Sequence, residues 1–144
     1  GSARKSIVCQ GLDSREFVWG PSGESLAVLV NGELSIMSLD GVIKKRYGKA
    51  SAIGSWSSDG RYIAYETRDT DQRRLWILHV SDGQAAEVGI SGDCCIGAWK
   101  PRGELLAFWH DAGLMIVGPD GKNPLLFGSN FHGSTMPPSW LVPE

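Results

Sequence analysis

The sequence predicts an all-β fold, a partial β-propeller of three four-stranded antiparallel blades with extra terminal strands. Three observations carry that expectation. Trp19, Trp56, Trp99 and Trp140 recur at intervals of 37, 43 and 41 residues. After the first three comes one shared phrase, a turn ending in glycine and then an apolar strand containing alanine. The copies read Trp19-Gly-Pro-Ser-Gly-Glu-Ser-Leu-Ala-Val, Trp56-Ser-Ser-Asp-Gly-Arg-Tyr-Ile-Ala-Tyr and Trp99-Lys-Pro-Arg-Gly-Glu-Leu-Leu-Ala-Phe. Helical periodicity is absent; apolar residues come in short runs bounded by Gly, Asp, Asn, Ser and Pro, the pattern of strand–turn–strand. A repeat near 40 residues built of strands and turns is the size of a propeller blade.

Each repeat divides into four strands. In the first they fall at Glu16–Trp19, Ser25–Val30, Glu33–Leu39 and Val42–Tyr47. Asn31-Gly32 and Asp40-Gly41 separate the last three, both strong two-residue hairpin signals. In the second they fall at Ile53–Trp56, Tyr62–Thr67, Leu75–Val80 and Ala85–Val88. The third gives Ile96–Trp99, Leu105–Trp109, Leu114–Val117 and Leu125–Phe127. Gly23, Gly60 and Gly103 close the turn after each tryptophan, so they and the four tryptophans are read as structural repeat positions. Runs such as Leu26-Ala27-Val28-Leu29-Val30 are apolar throughout, as strands covered on both faces require.

The expected blades span about 15–47, 52–88 and 95–127, within one propeller-type domain over 4–144. Residues 1–3, Gly-Ser-Ala, read as a cloning remnant. A leftover outer strand is expected at 6–9 and a leftover inner strand at 137–141. Three blades do not close a ring, which usually takes about 4–8. The two end blades would leave apolar faces in water, and such patches mark interfaces. The expectation is a homodimer that makes a six-bladed ring. The other reading is a piece of a longer propeller.

Composition excludes more than it assigns. The 144 residues are 42% hydrophobic and 21% charged, with net charge −2. That balance gives no electrostatic reason to bind nucleic acid. No apolar run approaches the roughly 20 residues of a spanning helix, so no membrane insertion is expected. Cys94 and Cys95 are adjacent, where a bridge is strained, and Cys9 is remote in sequence. They read as small packing residues, with a redox pair or thiol metal site as the alternatives.

Catalytic signatures are missing. Gly54-Ser55-Trp56-Ser57-Ser58 approaches a nucleophile elbow but is the repeat phrase itself. His132-Gly133-Ser134 has no elbow around it. Asp69-Thr70-Asp71 offers two carboxylates in a loop, Arg68–Arg74, whose arginines compete for them. His79, His110 and His132 lack ligand spacing, so neither metal nor cofactor is expected. Gly118–Asn123 is a hairpin turn and no phosphate loop. Trp76 and Trp109 stand outside the repeat, as gap-fillers between blades or as docking positions.

Strand order puts two loop sets at one end of the ring. One joins outer to next inner strands, at 10–15, 48–52, 89–95 and 128–138. The other joins second to third strands, at 31–32, 68–74 and 110–113. Long loops on a rigid scaffold commonly carry function. The candidate partner-binding face is Arg15, Lys49, Asp69, Asp71, Arg73, Asp93, His110, Asp111 and His132.

The phrase at 56–65, with Leu75-Trp76 and Asp82-Gly83 beyond it, resembles the PD40 repeat of TolB-type propellers. The likeness covers about residues 16–140. It departs at Ser58, where that repeat has proline, and at Ser22 and Arg102, where it has aspartate. The Gly-His and Trp-Asp marks of ordinary WD40 repeats are missing. The resemblance implies a non-catalytic module that binds proteins or peptides at one end of the ring, and it favours the periplasm. It also allows an accessory domain of a prolyl-oligopeptidase-like hydrolase, or a ligand-sensing domain of a larger regulator. It transfers no catalytic residue.

Overall fold

A computed structural model describes residues 16–128. Arg15, His132, Trp140, Cys9 and the strands expected at 6–9 and 137–141 lie outside the described residues. Among the described residues there are twelve strands and no helix. They form three four-stranded antiparallel sheets, each in chain order. The first blade contains β1 Phe17–Trp19, β2 Ser25–Val30, β3 Glu33–Ser38 and β4 Ile43–Lys49. The second contains β5 Ala52–Trp56, β6 Tyr62–Asp69, β7 Gln72–His79 and β8 Ala85–Glu87. The third contains β9 Cys94–Trp99, β10 Leu106–His110, β11 Gly113–Val117 and β12 Leu125–Gly128. Consecutive blades meet along their first strands, β1 beside β5 and β5 beside β9.

Turn chemistry explains most boundaries. Asn31 and Gly32 both have positive φ, 51° and 76°, as a two-residue hairpin turn needs. Gly23, Gly60 and Gly103 sit at φ 74°, 77° and 107°, where a side chain would be strained. Two expected loops are corrected. The loop expected at 68–74 is a continuation of β6 and β7, with Arg68 opposite Arg73 and Asp69 opposite Gln72; only Thr70-Asp71 turns. The loop expected at 110–113 is likewise a turn at Asp111-Ala112, because His110 pairs with Gly113. Ladder bonds are made by the backbone, so polar side chains extend a hairpin as readily as apolar ones.

The three blades pack by one rule. Each has an alanine–isoleucine cross-strand pair: Ala27 with Ile36, Ala64 with Ile77, Ala107 with Ile116. The first pair is buried against Ile53 and Ile63 of blade 2, the second against Trp99, Leu106 and Phe108 of blade 3. The opposite face of each blade carries its repeat tryptophan. Trp56 packs with Ala27 and Ile36 of blade 1. Trp99 stacks on Tyr62 of blade 2 at 5.5 Å. Each fully buried Leu, Ile or Phe in these interfaces contributes about 1.5–3 kcal/mol.

Polar latches repeat as well. The Lys45 ammonium donates to the carbonyls of Val80 and Ser81, and the Tyr47 hydroxyl to Val80 at 2.9 Å, joining blade 1's outer strand to blade 2's last turn. The equivalent latch joins Gly89 N–H to the Gly121 carbonyl at 3.1 Å. Arg61 bridges Asp59 of its own blade and Glu104 of blade 3.

Candidate functional site

The first strand of each blade is an edge, so its backbone groups on that side need partners from outside its sheet. Carboxylates supply two of them. Glu16 accepts the Ile53 N–H at 2.9 Å. Glu66, on β6, turns its carboxyl to the N–H of Ile96, which favours the charged form. Ser55 adds a third crossing: its hydroxyl donates to the Gly97 carbonyl at 3.1 Å and accepts the Trp99 N–H at 3.2 Å.

Between β5 and β9 the two inner strands leave a cavity of about 500 Å³. Residues 51–55 and 96–98 make its walls, and Glu66, Arg68 and Arg73 line it from β6 and β7. Gly54 and Gly97 are required here by close approach. A Cβ on Gly54 would lie 2.4 Å from the Ile96 side chain, and one on Gly97 would lie 2.2 Å from the Ala107 carbonyl. Both inner strands are bulged at these glycines, whereas β1, with Phe17 in the same place, pairs regularly.

Glu66 is 5% exposed. Burial pushes its carboxyl above the ordinary 4.5, opposed by the Ile96 N–H and the Arg73 charge and reinforced by Asp93 and Glu16. Its backbone carbonyl takes the Ser51 N–H at 2.7 Å and hydroxyl at 3.1 Å. In cross-strand register Glu66 faces Leu75, where the other blades place Leu29 with Leu34 and Trp109 with Leu114. A carboxylate thus replaces an apolar repeat residue. The signal was present in the sequence as the tenth residue after each tryptophan, and reading the phrase alone missed it.

The expected partner face is only partly assembled. Arg73 Nε lies 3.9 Å from Asp93 Oδ1. The Asp93 N–H donates to Asp111 Oδ2 at 3.1 Å. His110 Nδ1 accepts the Ala112 N–H at 3.0 Å, which places the ring proton on Nε2 to donate to the Ser91 carbonyl at 3.0 Å. Arg73, Asp93, His110 and Asp111 therefore share one cluster around the link between blades 2 and 3. Lys49 is exposed at the end of β4 opposite Glu33, and Asp69 and Asp71 are exposed at the β6–β7 turn. No contact among the described residues draws those three into the cluster. Trp76 is half-buried, donates to Thr67 at 2.8 Å and stacks on Tyr65. No group of three or more His, Cys, Asp or Glu side chains suited to a metal occurs among the described residues.

No protein-family model and no curated protein matches the chain. Solved structures do. A putative TolB from Agrobacterium tumefaciens is similar over 81% of this chain and 49% of its own length, with TM-score 0.61 and 20% identity. TolB from Acinetobacter baumannii is similar over 79% of this chain and 31% of its own, with TM-score 0.55 and 22% identity. The likeness establishes the fold: an all-β chain of TolB-like propeller blades. The chain spans about half or less of these solved structures.

Proposed function

We propose that this chain, whose fold is that of a TolB-like propeller, is a non-catalytic binding module whose ring is completed by association with a second copy. One observation carries the reading. Trp19 holds the same repeat position as Trp56 and Trp99, yet it is 55% exposed where Trp99 is 5% exposed. Phe17 beside it is also exposed, and so are Leu125 and Phe127 on the last strand of blade 3. Inside the chain a tryptophan face always meets an alanine–isoleucine face. Blade 1 offers the first kind and blade 3 the second. The contact is therefore head to tail, blade 3 of one copy against blade 1 of the other, and a two-fold rotation closes six blades. The polar cluster of Arg73, Asp93, His110 and Asp111 would then take a protein or peptide by shape and charge complementarity at one end of the ring.

Light scattering on the eluting protein tests the association. The expected mass is twice the 15.6 kDa of one chain. Phe17→Ser with Trp19→Ser should return it to one. A wild-type particle of single-chain mass overturns the dimer. It leaves the second reading, blades supplied by the same polypeptide, which the 49% and 31% coverage of the solved propellers favours.

A further inference from the structure

We propose that His110 is a pH-sensitive clasp: it ties the link between blades 2 and 3 to the β10–β11 turn and releases it when the imidazole takes a second proton. Its use, opening and closing the polar cluster around that link, rests on the binding reading above. The clasp itself rests on geometry.

It has two arms, from adjacent residues. His110 holds the link at Ser91, its Nε2–H donating to the Ser91 carbonyl at 3.0 Å. Asp111 holds it two residues on, its Oδ2 accepting the Asp93 N–H at 3.1 Å. Gly92 lies between them at φ 122° and passes close. A Cβ there would sit 2.6 Å from His110 Nε2 and 3.1 Å from Asp111 Oδ2. The link between blades 1 and 2 is tied differently. There the Ala50 N–H donates to the Gly32 carbonyl at 2.9 Å and the Ser51 N–H to the Glu66 carbonyl at 2.7 Å. Backbone acceptors do not titrate. An imidazole ordinarily does so between about pH 5 and 8.

Only the neutral ring makes both of its bonds. Nδ1 accepts the Ala112 N–H at 3.0 Å, so it carries no proton, and Nε2 carries the one that reaches Ser91. A second proton goes to Nδ1. It would point at the Ala112 N–H, donor against donor, and the ring must turn away. Three charged groups then act on it. Asp111 lies on its own turn, Asp93 on the link, and Arg73 of β7 has its Nε 3.9 Å from Asp93 Oδ1. The Cys94 thiol residue is opposite His110 on β9. The two carboxylates attract an imidazolium and the arginine repels it. A ring that turns to Asp111 draws that carboxylate from the Asp93 N–H, so acid loosens both arms. Above the titration of the ring, Asp93, His110 and Asp111 are held in one arrangement; below it the link carrying Asp93 is released.

Nitrogen-15 spectra of the full chain, taken from about pH 8 down to about pH 5, test the clasp. At pH 8 the His110 ring should show a bare, hydrogen-bonded Nδ1 and a protonated Nε2. The Ala112 and Asp93 amide resonances should then move together, with the same midpoint as the ring. His110→Asn places an oxygen near Nδ1 for the Ala112 N–H and does not titrate, so it should abolish the joint step. Gly92→Ala displaces the ring, so its Ala112 and Asp93 amides should resemble the acid state already at pH 8. An Nδ1–H tautomer in the wild type at pH 8 overturns the proposal. So do Ala112 and Asp93 amides that ignore the ring, a joint step that survives His110→Asn, or native amide positions in Gly92→Ala. The wild-type spectra decide even where a variant fails to fold. They need no partner, so their failure is distinct from a failure of the binding reading, and the mass by light scattering is blind to His110.

Discussion

The Glu66 carboxyl on the second strand of blade 2 feels the backbone N–H of Ile96 on the first strand of blade 3, which favours its charged form against the burial that disfavours it. Glu16 makes the corresponding contact to Ile53, from the residue just before β1 where Glu66 acts from β6. The Glu66 environment has a pH consequence. Burial raises the folded-state pKa of Glu66 above the ordinary 4.5. The folded protein then holds that proton more tightly than the unfolded chain does. The associated stability is complete below pH 4.5 and is lost as pH rises through the folded-state value. Glu66→Gln removes the titration and keeps the acceptor. The melting temperature of Glu66→Gln should gain on wild type as pH climbs from about 4 to 7. A constant gap across that range would contradict the assignment.

Trp19 and Trp99 occupy equivalent places in blades whose surroundings differ. Trp99 is buried against Tyr62, Ala64 and Leu75. Trp99→Ala should cost about 3–5 kcal/mol in urea unfolding. Trp19, more than half exposed, should cost about 1 kcal/mol or less when replaced by alanine in the dissociated chain. The proposed pairing of copies predicts that, at concentrations where a dimer is measured, the same Trp19→Ala variant loses much more. Equal costs for Trp19 and Trp99 in the dissociated chain would contradict the rule that tryptophan faces the preceding blade.

The blade architecture was legible because its signals are local. A tryptophan, a turn glycine and an Ala-centred strand recur within about ten residues, and each copy predicts its own hairpin. The β6–β7 hairpin was not legible, since Thr70-Asp71 carries no glycine and its flanking strands are polar. The cavity was hidden for a different reason. Its walls come from two blades, 51–55 and 96–98, and its charges from a hairpin between them in sequence. Only the register across blades, with Leu29, Glu66 and Trp109 in one place, marks the carboxylate as out of pattern.

Thr70 has φ 41°, a left-handed conformation that suits a β-branched residue poorly. The matching turn of blade 1 uses Asn31 at φ 51°. Asparagine tolerates that region because its short polar side chain bonds locally. Thr70→Asn should therefore stabilise the chain, by about 0.5–1.5 kcal/mol, read as a higher urea midpoint with unchanged slope. A lower midpoint would place the strain elsewhere.

Asp59 holds the turn after Trp56. Its Oδ1 accepts the Ser57 hydroxyl at 2.7 Å and the Arg61 N–H at 3.0 Å, and its Oδ2 meets Arg61 Nε at 2.7 Å. Partial burial pushes the carboxyl upward, but the Arg61 N–H, the Ser57 hydroxyl and the Arg61 charge outweigh it and hold it at about 2, against an ordinary 3.8. A depressed folded-state pKa gives stability that is present above 3.8 and lost as pH falls toward about 2. Asp59→Asn cancels that dependence. At neutral pH the variant should be the less stable, by about 1 kcal/mol for the weakened turn. Between pH 4 and 2 its melting temperature should converge on wild type, because the unfolded chain takes up the Asp59 proton there while the folded carboxyl still resists it, which drains the wild-type advantage. The blade 1 and blade 3 turns have Gly20 and Lys100 in place of Ser57, and Ser22 and Arg102 in place of Asp59. They therefore lack this particular titration, and the share of the acid response that disappears with Asp59→Asn belongs to the blade 2 turn.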